Sequence, residues 1–250
     1  MSKTINHPVV LVTGGGSGIG LECAIQLAHQ GASIAVLDVS AAAAGSAVAK
    51  LPAGRHLAVD ADVTDSIAMR NAARSIAAQL GRITAVVAAA GIVSRTPLKD
   101  VSTEEFRRVF AVNVEGMQNT IAAAAPHLID AGARGAIVAL GSVAASTGGG
   151  LMGSGLYAAS KAAVVGLIRG YARELAPWGV RANVVAPGAT ETPMTRSLSE
   201  EERVRIVGMS LIGRLSRPDE IASTVVFLLG PGAGSITGQV IQPNGGVHFS

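Results

Sequence analysis

A chain of 250 residues with 49% hydrophobic and 15% charged residues can bury a large core, which excludes disorder by composition. The formal charge is +3 and no run of lysine or arginine exceeds two residues, so nothing resembles a surface built to track nucleic-acid phosphates. Cys23 is the single cysteine, and the five histidines show no metal-ligand spacing, so neither an internal disulfide nor a metal site is expected.

The opening MSKTINHP is polar, and the apolar run VVLV after it is too brief for a signal peptide or a membrane span. A cytoplasmic protein without a membrane partner is expected. The first β-rich run, 9–13, enters the turn TGGGSGIG and then a helix in which Ile19, Cys23 and Leu27 recur every four residues, so Cys23 reads as a small buried hydrophobe. A second strand, 33–37, ends beside Asp38, and the alanine run 41–44 reads as helix. A strand over 55–59 precedes a helix over 64–80 opened by TDSI. After a strand over 83–88, STEE opens a long helix, 103–128, with the pattern of a capping box. Strands follow at 136–140, 182–185 and 239–242, with a second long helix at 157–176. Between the last two strands, 189–215 contains SLSEEERVRIVGMS, with Leu198, Val204, Ile206 and Val207 as its apolar positions. Several strands are apolar without alternation, as strands buried on both faces are. The alternation predicts one α/β domain over 1–250, a Rossmann-like doubly wound parallel sheet of about seven strands in three α/β/α layers.

Five glycines in the ten residues LVTGGGSGIG need a reason, because glycine is costly to order. Gly14 lets the chain turn off the strand, Gly18 lets a phosphate approach the backbone, and Gly20 lets the helix pack closely. The free N–H groups and positive end of that helix suit a pyrophosphate. Asp38 ends the second strand, where a carboxylate accepts hydrogen bonds from both hydroxyls of an adenine ribose and repels a 2′-phosphate. No Arg or Lys lies in the turn or directly after Asp38, so NAD(H) is expected over NADP(H). The competing reading of Asp38 is a strand-end or cap residue for the helix after Ser40.

The spacing Gly-x-x-x-Gly-x-Gly, together with YAASK at 157–161, resembles the short-chain dehydrogenase/reductase family, and the resemblance covers essentially the whole chain. It implies that Gly14, Ser17, Gly18, Ile19 and Gly20 form the cofactor turn and that Asp62 and the Val63 backbone meet the adenine. AAAG at 88–91 stands where the family has Asn-Asn-Ala-Gly, so Ala88 and Ala89 lose side-chain hydrogen bonds, while the Ala89 and Gly91 backbone still contacts the cofactor. APGATET at 186–192 resembles the segment that flanks the nicotinamide, through Pro187, Gly188, Thr190 and Thr192. Thr190 replaces a usual apolar residue, and its backbone would serve; Thr192 would contact the nicotinamide amide or simply cap the segment after it. Asn113, Ser142, Tyr157 and Lys161 take the catalytic positions, with a longer gap between Ser142 and Tyr157 than the family's commoner one. The extra residues fall in STGGGLMGSG, beside the substrate.

Tyr157 and Lys161 stand four apart, on one helix face. A free phenol titrates near about 10, and the neighbouring ammonium is expected to lower it. The resemblance makes Tyr157 the proton shuttle, Ser142 the hydrogen-bond donor to the substrate oxygen, Lys161 also a holder of the nicotinamide ribose, and Asn113 the support of a water that relays protons to Lys161. It makes 189–215 a lid. The pocket walls expected at 93–96 and 144–156 are small and apolar, with Arg95 the one cation, which suits a neutral or mostly apolar secondary alcohol or ketone. A homotetramer through the two long helices is implied, with Ala162, Ala163, Gly166 and Gly170 permitting close contact. The alternatives are a same-fold enzyme of other chemistry, a dehydratase or epimerase, or a cofactor-binding protein without turnover.

Overall fold

The computed structural model describes residues 8–150 and 153–249. Residues 1–7, which the leader reading used, and Leu151 and Met152 of the glycine-rich insert lie outside them. Seven parallel strands form one sheet: β1 (Val9–Thr13), β2 (Ser33–Asp38), β3 (His56–Asp60), β4 (Ile83–Ala88), β5 (Ala136–Leu140), β6 (Arg181–Val185) and β7 (Val240–Ile241), in the order β3-β2-β1-β4-β5-β6-β7. The Rossmann-like doubly wound architecture is thus as expected. Helices α1 (Gly18–His29), α2 (Ala41–Val48) and α3 (Ser66–Gln79) link the first four strands. Then come α4 (Thr103–Phe110), α5 (Gly116–Ala131), the short α6 (Ala144–Thr147), α7 (Gly155–Glu174), α8 (Glu200–Met209) and α9 (Pro218–Leu229).

Successive residues of each buried strand feed opposite faces. Val9 and Leu11 pack in one core with Met69 and Ile76 of α3, Ile121 and Leu128 of α5, and Ile168 of α7. Val10 and Val12 pack in the other with Cys23 and Leu27 of α1, Ala44 of α2, and Ile221 and Val225 of α9. Cys23 is fully buried, and burial pushes its thiol pKa up, so it stays an uncharged hydrophobe.

Several boundaries differ from expectation by a residue or two, and three differences have structural content. The long helix over 103–128 is present but not uniform: α4 ends at Phe110, a π-helical turn covers Ala111–Glu115 without interrupting the helical backbone, and α5 runs from Gly116. A Cβ on Gly116 would stand 2.5 Å from Val63 Cγ2, so glycine lets the helix pass close to the loop after β3. β3 shifts by one residue, because its register pairs Asp60 with Asp38. β7 shrinks to two residues because the Asn183 side chain takes over the edge, accepting from the Gln239 N–H (3.0 Å) and donating to the Ile236 carbonyl (2.8 Å). STEE is half a capping box: Ser102 Oγ accepts from the Glu105 N–H at 3.0 Å, but the Glu105 carboxylate turns elsewhere.

Candidate active site

Strand order reverses between β1 and β4, and the loops leaving the carboxyl ends of the strands there enclose a cleft of about 570 Å³. Every residue expected to hold the cofactor or to act in catalysis lines it except Asn113, which sits directly behind.

The cofactor half is shaped by backbone. Gly14 has φ +63°, and a Cβ there would stand 2.7 Å from the Ala90 Cα. Gly18 has φ +55°, with a Cβ position 3.3 Å from Thr192 Cγ2. At Gly20 a Cβ would fall 2.3 Å from the Gly14 carbonyl oxygen, so the first turn of α1 lies directly on the glycine turn. Ser17 is the N-cap of α1 by backbone, but its side chain makes no capping bond, which leaves its exposed hydroxyl at the cleft. Ala88 and Ala89 are compensated by backbone: the Ala89 N–H donates to the Thr13 carbonyl at 3.2 Å and ties β4 to β1.

The Asp38 carboxylate accepts from the Gly16 N–H at 3.0 Å and the Ser40 N–H at 3.1 Å. The helix after it is capped by Ser40, whose Oγ accepts from Ala43 N–H at 3.2 Å, so the capping alternative for Asp38 falls away. Asp62 Oδ1 accepts from the N–H and hydroxyl of Thr64, and the Val63 carbonyl accepts from Asn119 at 3.0 Å. At the other end, the Gly188 Cα presses on the C-terminal segment, where a Cβ would stand 2.8 Å from the Asn244 carbonyl oxygen. Thr190 Oγ1 donates to the Gly188 carbonyl at 3.1 Å, and the Thr192 N–H donates to Thr195 Oγ1 at 3.0 Å, opening the 3-10 turn Pro193–Thr195.

The catalytic half is held by side chains. Ser142 follows β5, its Oγ accepting from the Ala144 N–H at 3.1 Å, and its side chain acts to lower the pKa of the Tyr157 hydroxyl. Lys161, one helical turn after Tyr157 on α7, donates from Nζ to the Leu140 carbonyl at 2.8 Å, 5.9 Å from the centre of the tyrosine ring. Burial depresses the Lys161 pKa to about 8. Burial also raises Tyr157, against the lowering from Ser142, so the expectation that the ammonium alone brings the phenol down is corrected for the cofactor-free protein.

Asn113 lies in the π-helical turn, 1% exposed. Its Oδ1 accepts from the Ile92 N–H (2.8 Å), and its Nδ2 donates to the Ile92 carbonyl (2.9 Å) and Ser160 Oγ (3.0 Å). A Cβ on Gly91 would lie 3.3 Å from Asn113 Oδ1 and 3.4 Å from Lys161 Nζ, so both groups converge on that glycine.

The substrate wall differs from expectation. Among the described residues of 93–96 and 144–156, Ala144, Thr147, Gly149, Gly150 and Gly153 line the cleft, but 93–96 does not; Ile92 does. Val93 packs against Ala144, Tyr157 and Ala158 and Ser94 is buried, both off the cleft itself, while Arg95 pairs with Glu202 of α8, which neutralises the one cation feared there. Ile206 of α8 is buried, whereas Val204 is 62% exposed, so the lid's inward face is narrower than its apolar pattern implied. Met209 and Val247 also line the cleft; no motif marks either in the sequence. Among the described residues no acidic, cysteine or histidine cluster could hold a metal, and no helix is long and apolar enough to cross a membrane.

A family model described as Enoyl-(Acyl carrier protein) reductase matches residues 14–248. A (3R)-3-hydroxyacyl-CoA dehydrogenase of Canis lupus familiaris is 37% identical over 98% of both chains. Two solved structures superpose closely. A 3-ketoacyl-(acyl-carrier-protein) reductase from Brucella melitensis complexed with NADH has a TM-score of 0.90 at 30% identity, covering 97% of this chain and 98% of that one. A short chain dehydrogenase from Burkholderia cenocepacia J2315 in complex with NADP has 0.89 at 34%, covering 98% and 99%. The chain belongs to the short-chain dehydrogenase/reductase family. As such it is an oxidoreductase of secondary alcohol and ketone groups, in a family that binds nicotinamide cofactors. The residues present fit such a cofactor: a tight turn that closes only without a Cβ at Gly14 or Gly20, an uncommitted Ser17 hydroxyl, and a carboxylate at the end of β2.

Proposed function

We propose that this short-chain dehydrogenase/reductase prefers NAD(H) and interconverts neutral, mostly apolar secondary alcohols and ketones through Ser142, Tyr157, Lys161 and Asn113. The observation that carries the reading is the convergence of the first three in one cleft with the glycine cradle. For the cofactor, the support is Asp38, aimed by two backbone amides, followed by Val39, which lines the same cleft, is 71% exposed and offers no charge to a 2′-phosphate. Gly14, Ser17, Gly18, Ile19, Gly20, Asp62, Val63, Ala89, Gly91, Pro187, Gly188, Thr190 and Thr192 complete the cofactor contacts in this reading.

The bound nicotinamide supplies or takes up the hydride. Tyr157 takes the proton of the alcohol during oxidation and returns it during reduction. Ser142, which lines the same cleft as the tyrosine, donates to the substrate oxygen and stabilises charge developing there. Burial disfavours a lone phenolate at Tyr157 and a lone ammonium at Lys161, so each charged form gains most when the other is present. Lys161 would also hold the nicotinamide ribose, and Asn113, which converges with it on Gly91, would support a water that relays protons to it.

The segment 189–215 acts as a lid on a single domain. Ile206 and Met209 reach the cleft, while the Arg95–Glu202 and Arg203–Glu191 pairs tie its outer side. A homotetramer fits the open outer face of α7, where a Cβ on Gly166 would meet nothing, and the stacked Phe106 and Phe110 on α4. The test is titration of the protein with NADH and with NADPH, followed by cofactor fluorescence. Tight NADH with weak NADPH supports the reading. The reverse preference removes Asp38 as the discriminator, and binding of neither overturns the assignment.

A further inference from the structure

Tyr157 is the third residue of α7, and the chain that delivers it is poorly suited to fixing it. Gly148, Gly149 and Gly150 have φ of +77°, +113° and +128°, and a Cβ at Gly148 or Gly150 would meet nothing within 4 Å. Three successive residues in the glycine region with open space around two of them give the strand-to-helix connection freedom without direction. The start of α7 is held from another quarter.

Ser154, its N-cap, makes no side-chain capping bond. Its N–H donates to the Ser94 carbonyl at 2.7 Å, and its hydroxyl lies 3.1 Å from Ser94 Oγ. Ser94 Oγ in turn lies 2.9 Å from Glu105 Oε1, which accepts as well from Thr96 Oγ1 at 2.8 Å. A hydroxyl has one proton to give, so the direction is fixed: Ser154 donates to Ser94, and Ser94 donates to the Glu105 carboxylate. Ser94 is 2% exposed, so these bonds have little competition from water.

A second tie stands three residues beyond the tyrosine. Ser160 Oγ donates to the Tyr157 carbonyl at 2.7 Å and accepts from Asn113. Glu105 and Asn113 belong to the same stretch, α4 and its π-helical turn, and each grips the loop 92–96 before reaching α7. Tyr157 is therefore bracketed by two serines, one moored to Asn113 and one to Glu105.

We infer that Glu105 is a positioning residue for the reaction, fixing the tyrosine-bearing turn of α7 through Ser94 and Ser154. It touches neither substrate nor cofactor. The inference rests on the assignment of Tyr157 as the proton shuttle. Its interest lies in a carboxylate that looks like half of a helix cap and serves as the anchor of a remote helix.

The test measures steady-state kinetics and NADH affinity for Glu105→Ala, Glu105→Gln, Ser154→Ala, the double variant Glu105→Ala/Ser154→Ala, and Tyr157→Phe. Glu105→Ala is expected to lower kcat about tenfold while KM and NADH affinity stay within twofold. Glu105→Gln keeps an acceptor oxygen and should recover kcat to within about threefold of the parent. The double variant should be no slower than the slower single variant, because both cut one chain of bonds. Independent losses that multiply in the double variant overturn the linkage, as does an unchanged kcat in Glu105→Ala when Tyr157→Phe is inactive. Should Glu105→Ala not fold, Ser154→Ala alone decides: a several-fold kcat loss with unchanged NADH affinity upholds the inference, and parental kcat overturns it. Substantial turnover in Tyr157→Phe instead removes the underlying assignment, a different failure.

Discussion

Two glycine-rich turns face each other across the cleft, and they use glycine for opposite reasons. In the turn after β1 every omitted Cβ has something in its place: the Ala90 backbone at Gly14, the Gly14 carbonyl at Gly20. In 148–150, two of three glycines face open space. The first turn is a rigid mould in which backbone approaches backbone, and it needs no side chain to define its shape. The second is a loose connection, and the catalytic helix after it is located by side chains from α4 and its π-helical turn. Glycine count alone does not tell a ligand cradle from a hinge; what occupies the space of the missing methyl does.

Tyr157→Phe separates the two halves most sharply. Loss of the hydroxyl should cost about 10²–10⁴-fold in turnover. NADH affinity, set by the glycine mould on the other side, should stay within about twofold of the parent in a fluorescence titration. A parallel loss of cofactor binding would break the comparison, since the halves would then not be independent.

The glycines themselves provide the next test. Gly20→Ala places a methyl 2.3 Å from the Gly14 carbonyl oxygen, with backbone on both sides. It should weaken NADH binding at least tenfold and destabilise the protein by about 1–3 kcal/mol in urea unfolding. Gly148→Ala meets no atom, but its φ of +77° strains an alanine by about 1–2 kcal/mol. Its NADH affinity should be unchanged. Equal effects on binding from the two variants would erase the distinction between mould and hinge.

Asp38 is the side chain on which the cofactor mould's selectivity turns. The double variant Asp38→Ala/Val39→Arg removes a carboxylate and adds a guanidinium beside the ribose position, and should move the NADPH to NADH ratio of kcat/KM by at least about tenfold. An unmoved ratio would mean that selectivity is set elsewhere in the cleft.

What was legible in the sequence follows the same division. The glycine turn, Asp38 and the Tyr157–Lys161 pair are local patterns whose spacing carries their geometry, and all line the cleft. The π-helical turn in the long helix was not legible, nor was the close approach of Val63 to Gly116, residues far apart in sequence. Nor was the absence of 93–96 from the cleft wall, where Ser94 is buried and Arg95 meets Glu202 from α8. Glu105 was visible only as part of STEE, and the same residues serve equally as a cap or as a clamp. The raised pKa of Tyr157 escaped for a similar reason: spacing brings the ammonium near, but only the packed structure shows how much water both groups have lost.

Lys161 belongs to both halves, and its burial makes a pH signature. Its folded pKa, about 8, lies below its ordinary value of 10.5, so between those values the unfolded chain binds more protons. Stability of the cofactor-free protein should therefore rise with pH in that window, by about 1–2 kcal/mol from pH 8 to 9.5. Lys161→Met should flatten this rise. The raised Tyr157 works in the opposite direction only from its unfolded value near 10 upward, outside the window. Urea unfolding of both proteins at the two pH values measures the difference, and identical slopes would mean that Lys161 is better solvated than its buried setting implies.

The smallest effect belongs to the rim of the looser half. The Arg95–Glu202 pair joins the loop after β4 to α8, with the two side chains 36% and 29% exposed. An exposed pair of this kind is worth about 0–1 kcal/mol, so Arg95→Ala should hardly change the unfolding midpoint. Its consequence is local, because the same pair is one of two ties on the outer side of the segment that carries Ile206 and Met209 into the cleft. Weakening one tie makes the segment's covered position less populated, and bound substrate must then repay that difference. Arg95→Ala should raise the KM for the alcohol or ketone a few-fold, leave NADH affinity unchanged, and lose its difference from the parent at high salt, where the pair is screened in both. A salt-independent KM difference would mean that Arg95 acts by packing rather than by charge, and the loop rather than α8 would then be the element it steadies.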